Sequence, residues 1–105
     1  VHDAFTILGV LSLEALGYAP HGQGWRLIEE GELEPGGSIP TNTLGGLKAR
    51  GHPVGATGIY QVFDIVRQLR GEAGANQVEG AEVGAALSFG GMASTVAVNV
   101  LRRVR

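Results

Sequence analysis

From Thr6 to Leu16 apolar side chains fill almost every position, and only Ser12 and Glu14 clearly interrupt Ile7, Leu8, Val10, Leu11, Leu13 and Leu16. That density predicts a helix buried on most sides. Asp3 or Thr6 is placed to cap its start, while Gly17 followed by Pro20 supplies the stop. Between Gly22 and Gly37, Trp25, Leu27 and Ile28 alternate with Glu29, Glu30, Glu32 and Glu34, which predicts a short helix from Trp25 to Glu30 and then an exposed loop. Gly36 to Gly55 is too rich in glycine and proline for regular structure and reads as a long functional loop. Pro53 then sits where a helix favours its first residue, and Ile59, Val62, Phe63, Val66 and Leu69 recur at helical spacing until Gly71. With Gln61, Asp64 and Arg67 opposite, this second helix is expected to lay its apolar row on a sheet. After a polar turn from Gly71 to Gly80, the runs Val83 to Phe89 and Ser94 to Leu101 flank Gly90, Gly91 and Met92 and predict a β-hairpin. Val96, Val98 and Val100 share one face of its second strand, and Thr95, Ala97 and Asn99 share the other.

A chain of 105 residues can bury one modest core, so residues 1–105 read as one α/β domain or part of one. Hydrophobic residues make up 44% and charged residues 17%, the balance of a folded chain. A net charge of −2 gives no general attraction to nucleic acid or to anionic membrane. Arg102, Arg103 and Arg105 form a small basic tail, read as solvated. The chain has no cysteine, which removes disulfides, thiolate metal ligation and a cysteine nucleophile from this piece. No apolar run reaches the length of a membrane span and no basic leader precedes one, so a cytoplasmic protein is expected. The chain opens at Val1 without Met and enters an apolar segment at once, which reads as a piece of something longer.

Three histidines are the first candidates for chemistry near neutral pH. His52 stands at the entrance of the helix begun by Pro53, where the helix terminus favours a neutral, proton-accepting imidazole. Gly51, Gly55 and Gly58 around it suggest close backbone approach; a histidine that merely caps or packs in the turn is the alternative. His2 could place an N–H beside a developing oxyanion, or could be structural. His21 lies in a polar turn and is expected to face solvent. Ser88, Phe89, Gly90 and Gly91 offer a hydroxyl and adjacent amides, either for an oxyanion hole or for a tight hairpin turn. The histidines are too scattered for a metal site, and Gly55 and Gly58 lack the rest of a dinucleotide fingerprint.

In this order, His2-Asp3-Ala4-Phe5-Thr6, the run from Gly45 to Gly58 containing Gly51-His52-Pro53, the Gln68 to Gly74 segment and the Gly90-Gly91 turn resemble the C-terminal region of the thiolase superfamily. The sterol-carrier-protein-type and archaeal branch is the most similar. The resemblance implies part of the C-terminal half of a thiolase fold, a mixed β-sheet covered by helices and ending in the hairpin. It also implies that a nucleophilic cysteine lies in an N-terminal half absent here. By the same resemblance His52 activates that cysteine and lines an oxyanion site, His2 stands for the asparagine of the commoner Asn-Glu-Ala-Phe motif, and Gly90 matches the glycine of Cys-x-Gly. Ser88 and Ala4 stand where thiolases carry a second, acid–base cysteine. A serine hydroxyl is far less acidic than a thiol of pKa ~8.5, so ordinary Claisen chemistry is not implied. The catalytic set is then His52, His2, Gly90 and Ser88.

The substrate implied is a coenzyme A thioester, with no permanently bound cofactor and no metal. Acyl transfer or carbon–carbon cleavage, including a retro-aldol reaction, leads the readings. A silent acyl-CoA-binding subunit, with a partner such as a zinc-containing OB-fold protein, is the second, and an unrelated phosphate-binding α/β module the third. Self-association into a homo-oligomer is expected, because the Ile7 to Leu16 helix is too apolar to face water.

Overall fold

The computed structural model describes residues 1–104. Four helices, α1 (Thr6–Ala15), α2 (Gly24–Glu29), α3 (Gly46–Arg50) and α4 (Thr57–Arg70), precede two strands, β1 (Val83–Gly90) and β2 (Thr95–Arg102). Among the described residues the sheet is this one antiparallel pair.

α1 lies where the apolar run placed it, and Gly17 ends it at φ +82°. Its burial differs from expectation: only Ser12 and Leu13 are buried, while Phe5, Ile7 and Leu11 are exposed. The reason is that α1 has one packed neighbour, so a single stripe is covered. Neither Asp3 nor Thr6 caps it; Phe5 holds the N-cap position, with no side-chain bond. Glu14 secures the link to α2 by accepting Gly22 N–H and Gly24 N–H, each at 2.9 Å. A Cβ on Gly24 would stand 2.8 Å from the Val10 carbonyl, so only glycine lets α2 approach this closely. His21, paired with Glu14 at 3.3 Å, faces solvent.

The expected irregular stretch from Gly36 to Gly55 contains α3. Gly45 and Gly46, at φ +103° and +62°, turn the chain, and the Asp3 carboxylate accepts the Leu47 N–H at 2.7 Å. A contact with a residue 44 positions away holds the first turn of this helix, and no local pattern announces it.

α4 begins at Thr57 rather than Pro53, after a 3-10 turn over Val54–Ala56. Its apolar row is only partly covered, with Leu69 buried and Val62 and Val66 half-buried. Ile59 and Phe63 are 72% and 56% exposed, whereas Thr57, Gln61 and Leu69 are buried. The polar residues turn inward because backbone groups await them. Gln61 Nε2 donates to Leu87 O at 2.9 Å, and Gln68 bonds Asn76 O, Val78 N–H and Thr43 Oγ1. These four bonds fix Gln61 and Gln68 on the inner side, although Gln61 Oε1 is buried without a partner.

The hairpin pairs Val83 with Arg102 through to Gly90 with Thr95. α4 packs on one face of β1: a Cβ on Gly84 would meet Ile65 at 2.6 Å, and one on Gly58 would meet Ser88 Oγ at 3.8 Å. Arg103 N–H donates to Glu82 O across the same register, so the even-numbered residues of β1 form the hydrogen-bonded pairs. Val83, Ala85, Leu87 and Phe89 therefore turn their backbone groups away from β2, as Val96, Val98 and Val100 do from β1. A cavity of about 320 Å³ lies between α1, the segment before α3, α4 and the start of β1.

Candidate active site

The site is assembled from segments 50 positions apart. His2 precedes α1 and is buried, at 4% exposure. His52 lies between α3 and α4, on the surface. Their rings meet edge to face with centroids 5.0 Å apart at 86°, and the Phe89 ring closes on His2 at 5.5 Å and 75°. The sequence singled out both histidines; the structure brings them into contact beside the end of β1.

His2 Nδ1 is buried without a hydrogen-bond partner. Burial pushes the His2 imidazole below its ordinary pKa, the neighbouring His52 lowers it further, and the Asp3 carboxylate opposes both. The ring is thus held neutral near pH 7. His52 Nδ1 bonds Thr57 Oγ1 at 2.6 Å, and Thr57, at 1% exposure, is fixed in the first turn of α4. α4 therefore orients His52 through this hydroxyl, because its own start lies five residues further on.

Ser88 and Gly90 flank Phe89 at the end of β1. The Ser88 hydroxyl faces Gly58, beside the Thr57 that holds His52. Gly90 stands opposite Thr95 in the last rung, and the ladder phase turns its N–H toward that partner. The cavity beside α1 and α4 reaches neither histidine. Ala4 is half-buried. Of the basic tail, Arg102 closes β2 and Arg105 lies outside the described residues.

Sequence reasoning missed Thr57, Asp3 and the ring of Phe89 as parts of this site. Thr57 carried one signal, its place in the first turn of the helix that follows His52. Among the described residues no group of three histidine, aspartate or glutamate side chains is gathered to hold a metal, and no helix is long and apolar enough to cross a membrane.

A helix-backed antiparallel hairpin with paired histidines at its end defines an α/β domain of a particular kind. The chain belongs to the thiolase C-terminal domain-like family, whose model matches residues 1–103. An acetyl-CoA acetyltransferase of Methanothermobacter thermautotrophicus is 53% identical over 103 residues, covering 98% of this chain and 27% of that protein. Sterol carrier protein 2 of Bos taurus is 47% identical over 83 residues, 79% of this chain and 15% of the relative. The benzoylsuccinyl-CoA thiolase subunit BbsB of Thauera aromatica is 39% identical over 79 residues, 75% and 20%. The chain thus spans about a quarter or less of these relatives. Family membership sets aside an unrelated phosphate-binding module.

Proposed function

We propose that this chain is the C-terminal portion of a thiolase-like enzyme acting on acyl-coenzyme A thioesters, with His52 and His2 as its share of the catalytic machinery. The observation that carries the reading is the contact of the neutral, buried His2 with His52, which Thr57 orients. In acyl transfer a thiol nucleophile attacks the thioester carbonyl carbon, the oxygen takes up negative charge, and collapse expels the coenzyme A thiolate. The thiol must come from outside this chain, which has no cysteine. Imidazoles suit both roles left to the chain: a ring nitrogen can accept the thiol proton, and a ring N–H can donate to the oxyanion. Gly90, whose N–H is turned toward Thr95 across the last rung, is given no part in this step.

The names of two relatives, acetyl-CoA acetyltransferase and benzoylsuccinyl-CoA thiolase subunit, support coenzyme A thioesters as the substrate class. Ser88 and Ala4 favour acyl transfer or retro-aldol cleavage over Claisen chemistry, since neither supplies an acid–base group near pH 7. The test is coenzyme A release from acyl-CoA by the full-length parent protein. His52→Ala should lower the rate by about 10²–10⁴-fold, the usual contribution of a general acid–base group. Wild-type rates in both His52→Ala and His2→Ala would overturn the reading.

A further inference from the structure

Asp3 is bonded in the chain to His2, and its carboxylate reaches across 44 positions to the segment that ends in His52. Oδ1 accepts the Leu47 N–H at 2.7 Å, and Leu47 itself is sealed in the core. From there α3 runs one turn to Arg50, followed by Gly51 and His52. The carboxylate is thus a strut between the two imidazoles, one residue from the first and one short helix from the second.

The opposite wall is built for this contact. A Cβ on Gly46 would stand 2.7 and 2.8 Å from the Asp3 oxygens and 2.6 Å from Asn42 Nδ2, closer than side-chain atoms tolerate. Gly46 also adopts φ +62°, which a larger residue takes only under strain. Two constraints on one glycine, steric and conformational, serve the arrival of the Asp3 carboxylate at the first turn of α3. On the near side a Cβ on Gly9 would meet Asp3 Cβ at 3.5 Å, so α1 backs the aspartate where it stands.

We propose that Asp3 is a positioning residue whose carboxylate, anchored on the Leu47 amide, sets the approach of His2 to His52. The proposal rests on the catalytic reading of the two histidines for its consequence in rate, and on the geometry alone for its consequence in structure. Asp3 touches neither substrate nor reacting atoms; it acts by fixing a ring contact that misplacement by about 1 Å would degrade, at a cost near 10²-fold in rate.

The test has two arms. In this chain, nuclear Overhauser contacts between the His2 and His52 rings are compared in wild type, Asp3→Asn and Asp3→Ala, with hairpin contacts as the control for folding. Asp3→Asn keeps an acceptor oxygen and should keep the ring contact; Asp3→Ala should lose it while the hairpin persists. In the full-length parent, Asp3→Ala should lower kcat about 10–100-fold with KM within about twofold, and Asp3→Asn should recover most of the loss. If Asp3→Ala does not fold, Asp3→Glu decides, because it keeps the charge and moves the acceptor by one methylene; a weakened ring contact and a lower kcat are expected. A parent without acyl-CoA activity removes the catalytic reading and leaves the ring contact to decide the positioning role. An unchanged contact in the folded Asp3→Ala or Asp3→Glu variant overturns the proposal.

Discussion

Replacing Thr57 with valine separates orientation from stability at His52. The substitution keeps the shape of a side chain that is 1% exposed and removes only the hydroxyl that meets His52 Nδ1 at 2.6 Å. A hydrogen bond of this kind contributes about 0.5–1.5 kcal/mol net. At about 1.36 kcal/mol per tenfold, that is roughly a 2- to 13-fold preference for the oriented ring. His52 lies on the surface, so water satisfies Nδ1 once the hydroxyl is gone. The chain should therefore unfold in urea within about 1 kcal/mol of wild type. In the full-length parent, kcat/KM should fall about 2- to 13-fold, the lost orientation read directly as rate. Nitrogen-15 shifts of His52 should move toward the tautomer ratio of a free imidazole. Unchanged kcat/KM together with an unchanged tautomer ratio would show that Thr57 does not orient His52, and the proposed route from α4 to the site would fail.

Leu13→Ala should cost about 2–5 kcal/mol in urea unfolding, and Leu11→Ala, two positions along α1 on its open side, under about 1 kcal/mol; equal costs would restore the all-round burial of the sequence reading. His2 binds its proton less readily when folded than when unfolded. Stability is therefore full above its ordinary value of 6.5 and declines as pH falls below it, and His2→Asn should flatten that decline in unfolding measured from pH 7.5 to 5. Glu14 is shifted in the same direction from a lower starting value: Gly22 and Gly24 N–H hold its carboxyl below 4.5, so it stabilises at higher pH and loses this as pH drops through the folded value. Glu14→Gln should reduce stability at pH 7 and weaken its acid dependence below about 4.5, read as melting temperature against pH.

Local pattern made α1, the Gly17 and Gly71 stops and the hairpin legible, because each follows from residues adjacent in sequence. The face of α4 was not legible, since Gln61 and Gln68 turn inward to meet Leu87, Asn76 and Val78, partners that only the folded chain supplies. α3 escaped for the same reason, the Leu47 N–H in its first turn being received by Asp3. In the site, residue type and motif pointed to His2 and His52. Thr57 and Phe89 gained their places through contacts across 5 positions and across the body of the domain. Ladder phase, which turns the Gly90 amide toward Thr95, is likewise a property of pairing and not of the turn residues alone.

Strand β2 gives the isolated chain a hazard of handling. From Thr95 to Leu101 it carries no charge, and Val96, Val98 and Val100 stand exposed along an edge whose backbone groups have no strand beyond them among the described residues. Such an edge is a template for further strands, and fibrils grow by repeating that addition. Arg102 and Arg103 guard only one end, so in-register parallel stacking would pile like charges together, whereas antiparallel addition places them at opposite ends. Any aggregate of this chain should therefore be antiparallel, which its infrared amide bands would report, and Val98→Lys should keep concentrated samples clear.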